Sequence, residues 1–391
     1  MKRQPDLILW RHKFHAIPEL SFEELKTTEE ILRILKELGL AIRKVGVAGK
    51  KTGVVAEIEG AGPGPCIALR ADIDALPVTE ESNKEYSSRH PGIMHACGHD
   101  GHIAILLGVA SIMKKRAKHF KGRLRFIFQP SEESDKSGAK AMIDEGALDG
   151  VSSIFGLHLW QPIQSGHVGY ASGTIMAACD KFEITIQGKG GHGAYPHTAM
   201  DPIVAASCVI NDLQSIVSRE IDPLETAVVT VGKVEAGTAS NVIPEKAFLT
   251  GTLRSLSENV RKHLQESVIR IAEHTSISHR CSSETKIIEG YPSTSNDPEC
   301  TKTCVSVVEK ILGKECVHEI KPSMGADDMG IFLERVPGCY FFLGTGNPEK
   351  GLIYPHHHPR FDIDDDVLPL GVAILSSIAW RLLSEQLEKG D

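Results

Sequence analysis

Cys97, His99, Asp100 and His102, side chains of the types that bind metals or move protons, crowd into the nine residues Met94–His102. A thiolate and an imidazole two residues apart suit a borderline divalent ion such as Zn²⁺, with further ligands supplied from elsewhere in the chain. Glu132, Glu133, His158 and one of the run His356–His358 are of the right types to supply them. Two divalent ions about 3.5–4 Å apart polarise a carbonyl and deprotonate a bridging water together, so such a set points to hydrolysis. Neighbouring side chains in an extended segment point to opposite sides. Glu132 and Glu133 are therefore expected to divide the work, one holding metal and the other moving a proton from water to the leaving group.

The elements around these residues explain how they converge. Short apolar runs at 53–58, 66–69, 123–128 and 154–157, with a helical stretch from His102 to about Lys118 between them, predict an α/β domain with a mixed, mainly parallel sheet. The runs lead into Asp72-Ile-Asp74, Glu132-Glu133 and His158, which places ligand-type residues at strand C-terminal ends, the edge where open α/β sheets bind ligands. Ser21-Phe-Glu-Glu24 has the form of a capping box before a periodic helix that stops at Gly39. Asp72 and Asp74 share a strand face and are read either as supports behind the metal ligands or as turn caps. Asp100 and His102 are read as supports too, with His102 opening the next helix.

From about residue 180 the pattern changes. Asp180–Gln187 alternates as a half-wet strand, followed by a helix at 200–219, strands near 226–235 and 246–254, a helix after Ser257 and a strand near 284–290. That order predicts a ferredoxin-like α+β domain at 180–291, inserted into a discontinuous domain formed by 1–179 and 292–391 with helices on both sheet faces. The last helix is expected from about Asp364 to Leu387.

A formal charge of −8 over 391 residues, without basic runs, excludes a nucleic-acid or anionic-membrane partner. Nine scattered cysteines fit reduced thiols rather than a disulfide framework. Cys300 and Cys304, four apart in a predicted helix, are accompanied by no histidine or carboxylate pattern and are read as structural. With no signal-type segment and no long uncharged apolar run, a soluble cytoplasmic protein is expected.

Six ordered motifs carry a resemblance: Arg70–Pro77, Met94–His102, Gln129–Glu133, Gly191–Pro196, Asn241–Pro244 and His357–Phe361. Together they resemble the bacterial and plant amidohydrolases that include hippurate hydrolase, the indole-acetyl-amino-acid hydrolases and N-acetyl-diaminopimelate deacetylase, within the wider aminoacylase/carboxypeptidase metallohydrolases. The resemblance runs from about Arg11 to the C-terminal helix. It implies that Cys97, His99, Glu133, His158 and His357 bind two divalent ions (Zn²⁺, Mn²⁺, Co²⁺ or Ni²⁺) and that Glu132 is the catalytic base. His357 is selected from its run because the ligand in relatives stands two residues before the proline. The smaller domain then resembles a lid and dimerisation domain, which implies a homodimer or higher homo-oligomer.

His192 matches a lid histidine that stabilises the oxyanion, often in the partner's site, a role worth about 3–4 kcal/mol. Asn241 and Arg254 are candidates for gripping a substrate carboxylate. The expected reaction is hydrolysis of N-acyl amino acids to a carboxylic acid and a free amino acid. The alternatives are a dipeptidase or carboxypeptidase, and a metal-binding protein without turnover. Where relatives show Gly-x-Glu-Asp-Phe this chain has Gly325-Ala-Asp-Asp-Met329, so Asp327 and Met329 depart from the pattern.

Overall fold

A computed structural model describes residues 4–388 and divides them into two compact units. The first comprises residues up to Ile175, Ser295–Lys321 and the chain from Asp328 onward. The second comprises Met176–Thr294 with the short return segment Pro322–Asp327.

The first unit is built on an eight-stranded mixed sheet. Strands β1 (Ala41–Val45), β2 (Val54–Glu59), β3 (Cys66–Asp72), β4 (Arg123–Gln129) and β5 (Ser153–Gln164) lie in the order β1-β2-β4-β3-β5. The strands Gly338–Gly346, Val168–Tyr170 and Val317–Glu319 follow. Four of the seven pairings are parallel, including those of β3 with both neighbours. Every residue of β3 is buried, as expected of a strand covered on both faces. Helices α1 (Gln4–His15), α2 (Leu25–Glu37) and α3 (His99–Lys115) pack with Pro298–Leu312 and Leu368–Glu388, while Gly138–Asp144 pairs with Met329–Leu333.

In the second unit the strands Ala227–Ala236, Lys246–Ser255, Ala178–Gln187 and Ser282–Tyr291 form an antiparallel sheet in that order. Two helices, Pro202–Ser215 and Glu258–Ser278, complete the ferredoxin-like β-α-β-β-α-β sequence. Phe182, Ile184 and Ile186 alternate inward along one strand and share a core with Val209, Leu213, Leu264 and Val268 of the helices.

Several expectations need correction. The 21–24 segment forms no capping box: α2 starts at Leu25 without a side-chain cap from Glu24, and Glu19 instead accepts from Thr27 N at 2.9 Å. Ser21 Oγ has a partner across the fold, Asp74 Oδ2 at 2.7 Å, which outcompetes the local amide. Helix α3 opens at His99 rather than His102, because Gly98 adopts a left-handed conformation (φ 87°) and turns the chain into the helix there. His158 lies inside β5 and not at its end, because β5 goes on pairing with Gly338–Gly346 after β3 has ended. The expectation of no long uncharged apolar run is not among these: Asp365–Ser384 has the length and apolar composition of a membrane span, but it carries Asp365, Asp366 and Arg381 and more than half of it is buried within the fold. Cys304 is a core residue of the helix Pro298–Leu312, and all nine cysteines are free thiols.

Candidate metal centre

Three backbone devices bring the sequence-predicted ligands together. Gly98 separates Cys97, before the helix, from His99, its first residue. Ser131, in the turn after β4, holds φ 54°, and His357 holds φ 66°. A residue with a side chain pays for that conformation, so its presence at two points of one site marks a geometry the surroundings enforce.

Around the pocket the donor atoms form two overlapping triads. Cys97, His99 and His158 offer ligand atoms that all lie within 4.8 Å of one another, as do Cys97, Glu133 and His357. Cys97 belongs to both. Its Sγ lies 3.5 Å from His158 Nε2, and His357 Nε2 lies 3.4 Å from Glu133 Oε1. His99 Nε2 and Glu133 Oε1 are buried and have no hydrogen-bond partner among the described residues, a costly condition unless a cation completes them. Glu132 also groups with His99 and Glu133 within 4.8 Å and is 7% exposed.

The imidazoles are oriented from behind. His158 Nδ1 donates to Leu159 O (2.9 Å) and His99 Nδ1 donates to Asp74 O (2.9 Å), so each presents Nε2 to the pocket. Burial, reinforced by His102 and His356, keeps the His158 imidazole well below its ordinary range and therefore neutral. Burial alone would lower His99, but Asp72, Asp74 and Glu133 together lift it to about 10. Burial, then Glu133 and Glu132, hold the Cys97 thiol well above the usual thiol range. A thiol and an imidazolium facing carboxylates release their protons when a divalent ion takes their place. The donor set of soft sulfur, two to three imidazoles and one carboxylate fits two divalent ions of the first transition row.

The remaining candidates have other partners. His102 Nδ1 donates to Asp72 Oδ1 at 2.5 Å while its Nε2 accepts from Leu159 N at 2.9 Å, leaving it no free lone pair. His356 Nε2 donates to Leu159 O (2.9 Å), and His358 Nδ1 accepts from Arg360 N (3.0 Å) while its ring stacks on Tyr354. Of the three consecutive histidines, His357 is the one placed beside Glu133. Asp100 accepts from Arg11 Nε and His15 Nδ1, both at 2.9 Å, and the buried Arg11 also pairs with Asp362 and Asp365. Met329 is fully buried, and Asp327 O accepts from Thr294 Oγ1.

Sequence reasoning missed a second supporting group. Buried Arg70 donates to Gln129 Oε1 (2.8 Å), Asp72 Oδ2 (2.7 Å) and Asp328 Oδ1 (2.8 Å), tying the ends of β3 and β4 to the loop before Met329. The available signal was an arginine inside an apolar strand run, since a buried guanidinium demands carboxylates around it.

His192, Asn241 and Arg254 all lie in the second unit. The two-residue strands Gly191–His192 and Val242–Ile243 pair, and Gly193 N donates to Asn241 O at 2.8 Å, so Asn241 sits in the turn immediately before the strand that pairs with that of His192. His192 is exposed and its Nδ1 accepts from Ala194 N at 3.0 Å, which leaves Nε2 to carry the proton as an outward donor. Arg254, within Lys246–Ser255, spends Nη1 on Leu253 O (3.0 Å) and on the Thr252 hydroxyl.

The model of peptidase family M20/M25/M40 matches residues 68–381. A thermostable carboxypeptidase of Saccharolobus solfataricus is 42% identical over 96% of this chain and 95% of its own length. An N-acetylcysteine deacetylase of Bacillus subtilis is 40% identical over 96% and 97% respectively. Among solved structures, a dinuclear metal-binding peptidase of the M20 family from Bacillus subtilis superposes with a TM-score of 0.86 at 36% identity, covering 98% of this chain and 99% of its own.

Proposed function

The chain belongs to peptidase family M20/M25/M40, and from that premise we propose that it hydrolyses the amide bond of N-acyl amino acids, giving a carboxylic acid and a free amino acid. The observation that carries this reading is the pair of triads sharing Cys97, with the carboxylate of Glu132 set against them. Cys97, His99, His158, Glu133 and His357 would hold two divalent ions, which when bound polarise the acyl carbonyl and acidify water. Zn²⁺ suits the thiolate best, and Mn²⁺, Co²⁺ or Ni²⁺ suit the same donors.

Glu132 takes the proton of the attacking water and returns it to the departing amine nitrogen. Asp74 and Leu159, through their carbonyls, keep His99 and His158 in the tautomers that face the pocket. A binding protein without turnover has no use for an additional carboxylate beside the ligands. The carboxypeptidase named among the relatives favours a second reading, in which the same residues cleave a C-terminal peptide bond. Turnover of N-acetyl and N-benzoyl amino acids against blocked dipeptides tests the choice. Faster cleavage of the simple acyl amino acids supports our reading, and exclusive cleavage of peptides replaces it with the second.

The assignment of residues 180–291 as a lid and dimerisation domain, beside a catalytic domain formed by 1–179 and 292–391, is part of this proposal, as is a cytoplasmic location. The lid reading is supported by exposed His192, whose Nδ1 accepts from Ala194 N and leaves Nε2–H as a donor suited to an oxyanion, and the location by nine cysteines that lie unpaired. If His192 serves the partner's site, a mixed dimer of Glu132→Gln with His192→Ala contains one whole site. The purified mixed dimer should regain about half the wild-type activity per dimer, although each homodimer is inactive. An inactive mixed dimer of normal metal content would confine His192 to its own chain or to no catalytic part.

Arg254 is proposed to grip the substrate carboxylate through its remaining guanidinium nitrogens, with Asn241 beside the substrate. Arg254→Ala should then lower kcat/KM for the free acid about 10- to 100-fold more than for its amide analogue, the worth of a charge-assisted hydrogen bond. Equal losses would make Arg254 a strand residue only.

A further inference from the structure

The segment Ser21–Glu24, which the helix beginning at Leu25 leaves uncapped, is turned toward the metal loop. Glu24 is completely buried, and its Oε1 accepts two backbone amides: Phe22 N at 3.0 Å and Ser131 N at 2.8 Å. Both of those residues hold left-handed backbone, with φ 60° and 54°. The amide on the other side of Glu132 is held as well. Glu133 N donates to Asp74 Oδ2 at 3.0 Å, and Ser21 Oγ donates to the same oxygen at 2.7 Å. The two peptide N–H groups flanking Glu132 are thus fixed by one four-residue turn, directly through Glu24 and through Asp74 in the case of Ser21. Ser131 is held in a strained conformation that persists only where the surroundings enforce it.

We infer that Glu24 is a positioning residue for the reaction: it holds the strained Ser131 amide and so fixes the direction in which Glu132 meets the reacting water. The inference rests on the hydrolytic reading of the site. The hydrogen bonds that Glu24 accepts come from Phe22 and Ser131, neither of them a proposed metal ligand, so its removal should act on the chemical step more than on binding. Burial, with Asp74 adding to it, pushes the Glu24 carboxyl up to about 8, so at neutral pH an amide is a close stand-in. Gln keeps an oxygen in place of Oε1, whereas Ala leaves both amides without an acceptor.

The test compares Glu24→Ala, Glu24→Gln and wild type with two metal equivalents loaded, reading kcat, KM, metal content, thermal midpoint and hydrogen exchange at the Ser131 amide. Expected for Glu24→Ala is a fall in kcat of about 100-fold, the scale of a misplaced catalytic group. KM and metal content should stay near wild type, and exchange at Ser131 should quicken. Glu24→Gln should return kcat to within a few-fold of wild type and restore protection of Ser131. An unchanged kcat in Glu24→Ala would overturn the inference. So would a loss that follows metal content or unfolding, or a Gln variant as impaired as Ala. Should wild type itself fail to cleave acyl amino acids, the functional reading falls separately. Exchange at Ser131 then decides whether Glu24 holds the loop, and unchanged protection in Glu24→Ala overturns that too.

Discussion

Glu132→Gln should keep the fold and both metal ions while losing turnover by about 10²–10⁴-fold, the usual contribution of a positioned acid/base group. Glutamine fills the same volume and the site at 132 is only 7% exposed, so packing is preserved. What the amide lacks is the capacity to accept a proton from water and hand it to the amine. Glu133, whose Oε1 lies 3.4 Å from His357 Nε2, should behave differently. Metal analysis and thermal unfolding alongside the rate separate the two carboxylates. If Glu132→Gln loses metal as well, the roles of Glu132 and Glu133 are exchanged.

Cys97→Ser should be the most damaging single change to metal binding, because Cys97 is the residue common to both triads. A serine hydroxyl is far harder to ionise than a thiol and is a poorer donor to a borderline ion. Loss of a mere supporting partner behind a ligand costs about 10- to 100-fold in metal affinity, so removal of a shared ligand should exceed 100-fold. The measurement is competition with a chelator of known affinity, followed by activity at saturating metal. Undiminished affinity would remove Cys97 from the site.

The residues proposed to hold the metal were legible in the sequence because metal ligation admits few side-chain types. Cys97, His99 and His158 could be read by type alone, whereas the choice of Glu133 over Glu132 required the resemblance; their convergence follows from the order of β3, β4 and β5. The second unit was legible through strict alternation, as in Asp180–Gln187, and through a cap at Ser257 that the structure retains, Val260 N donating to its hydroxyl at 3.4 Å. Long-range partners were not legible. Ser21 reads as a local cap and bonds instead to Asp74, 53 residues away, while Glu24 reaches Ser131 across 107. His158 reads as the end of a strand because the strand that prolongs β5, Gly338–Gly346, is contributed by a segment nearly two hundred residues later. Choosing His357 within its run required the resemblance, since three consecutive histidines carry the same local signal. The structure distinguishes them by what each nitrogen already bonds.

A two-ion hydrolytic centre acting on N-acyl amino acids can be probed by titrating metal-free protein with a divalent ion while following release of the free amino acid from an N-acyl substrate. Turnover should be absent without metal, should rise to a plateau near two ions per chain, and should show no such rise in Glu132→Gln loaded to the same stoichiometry. Turnover that persists in the metal-free protein, or a fully loaded wild type that leaves every N-acyl amino acid intact, would contradict it.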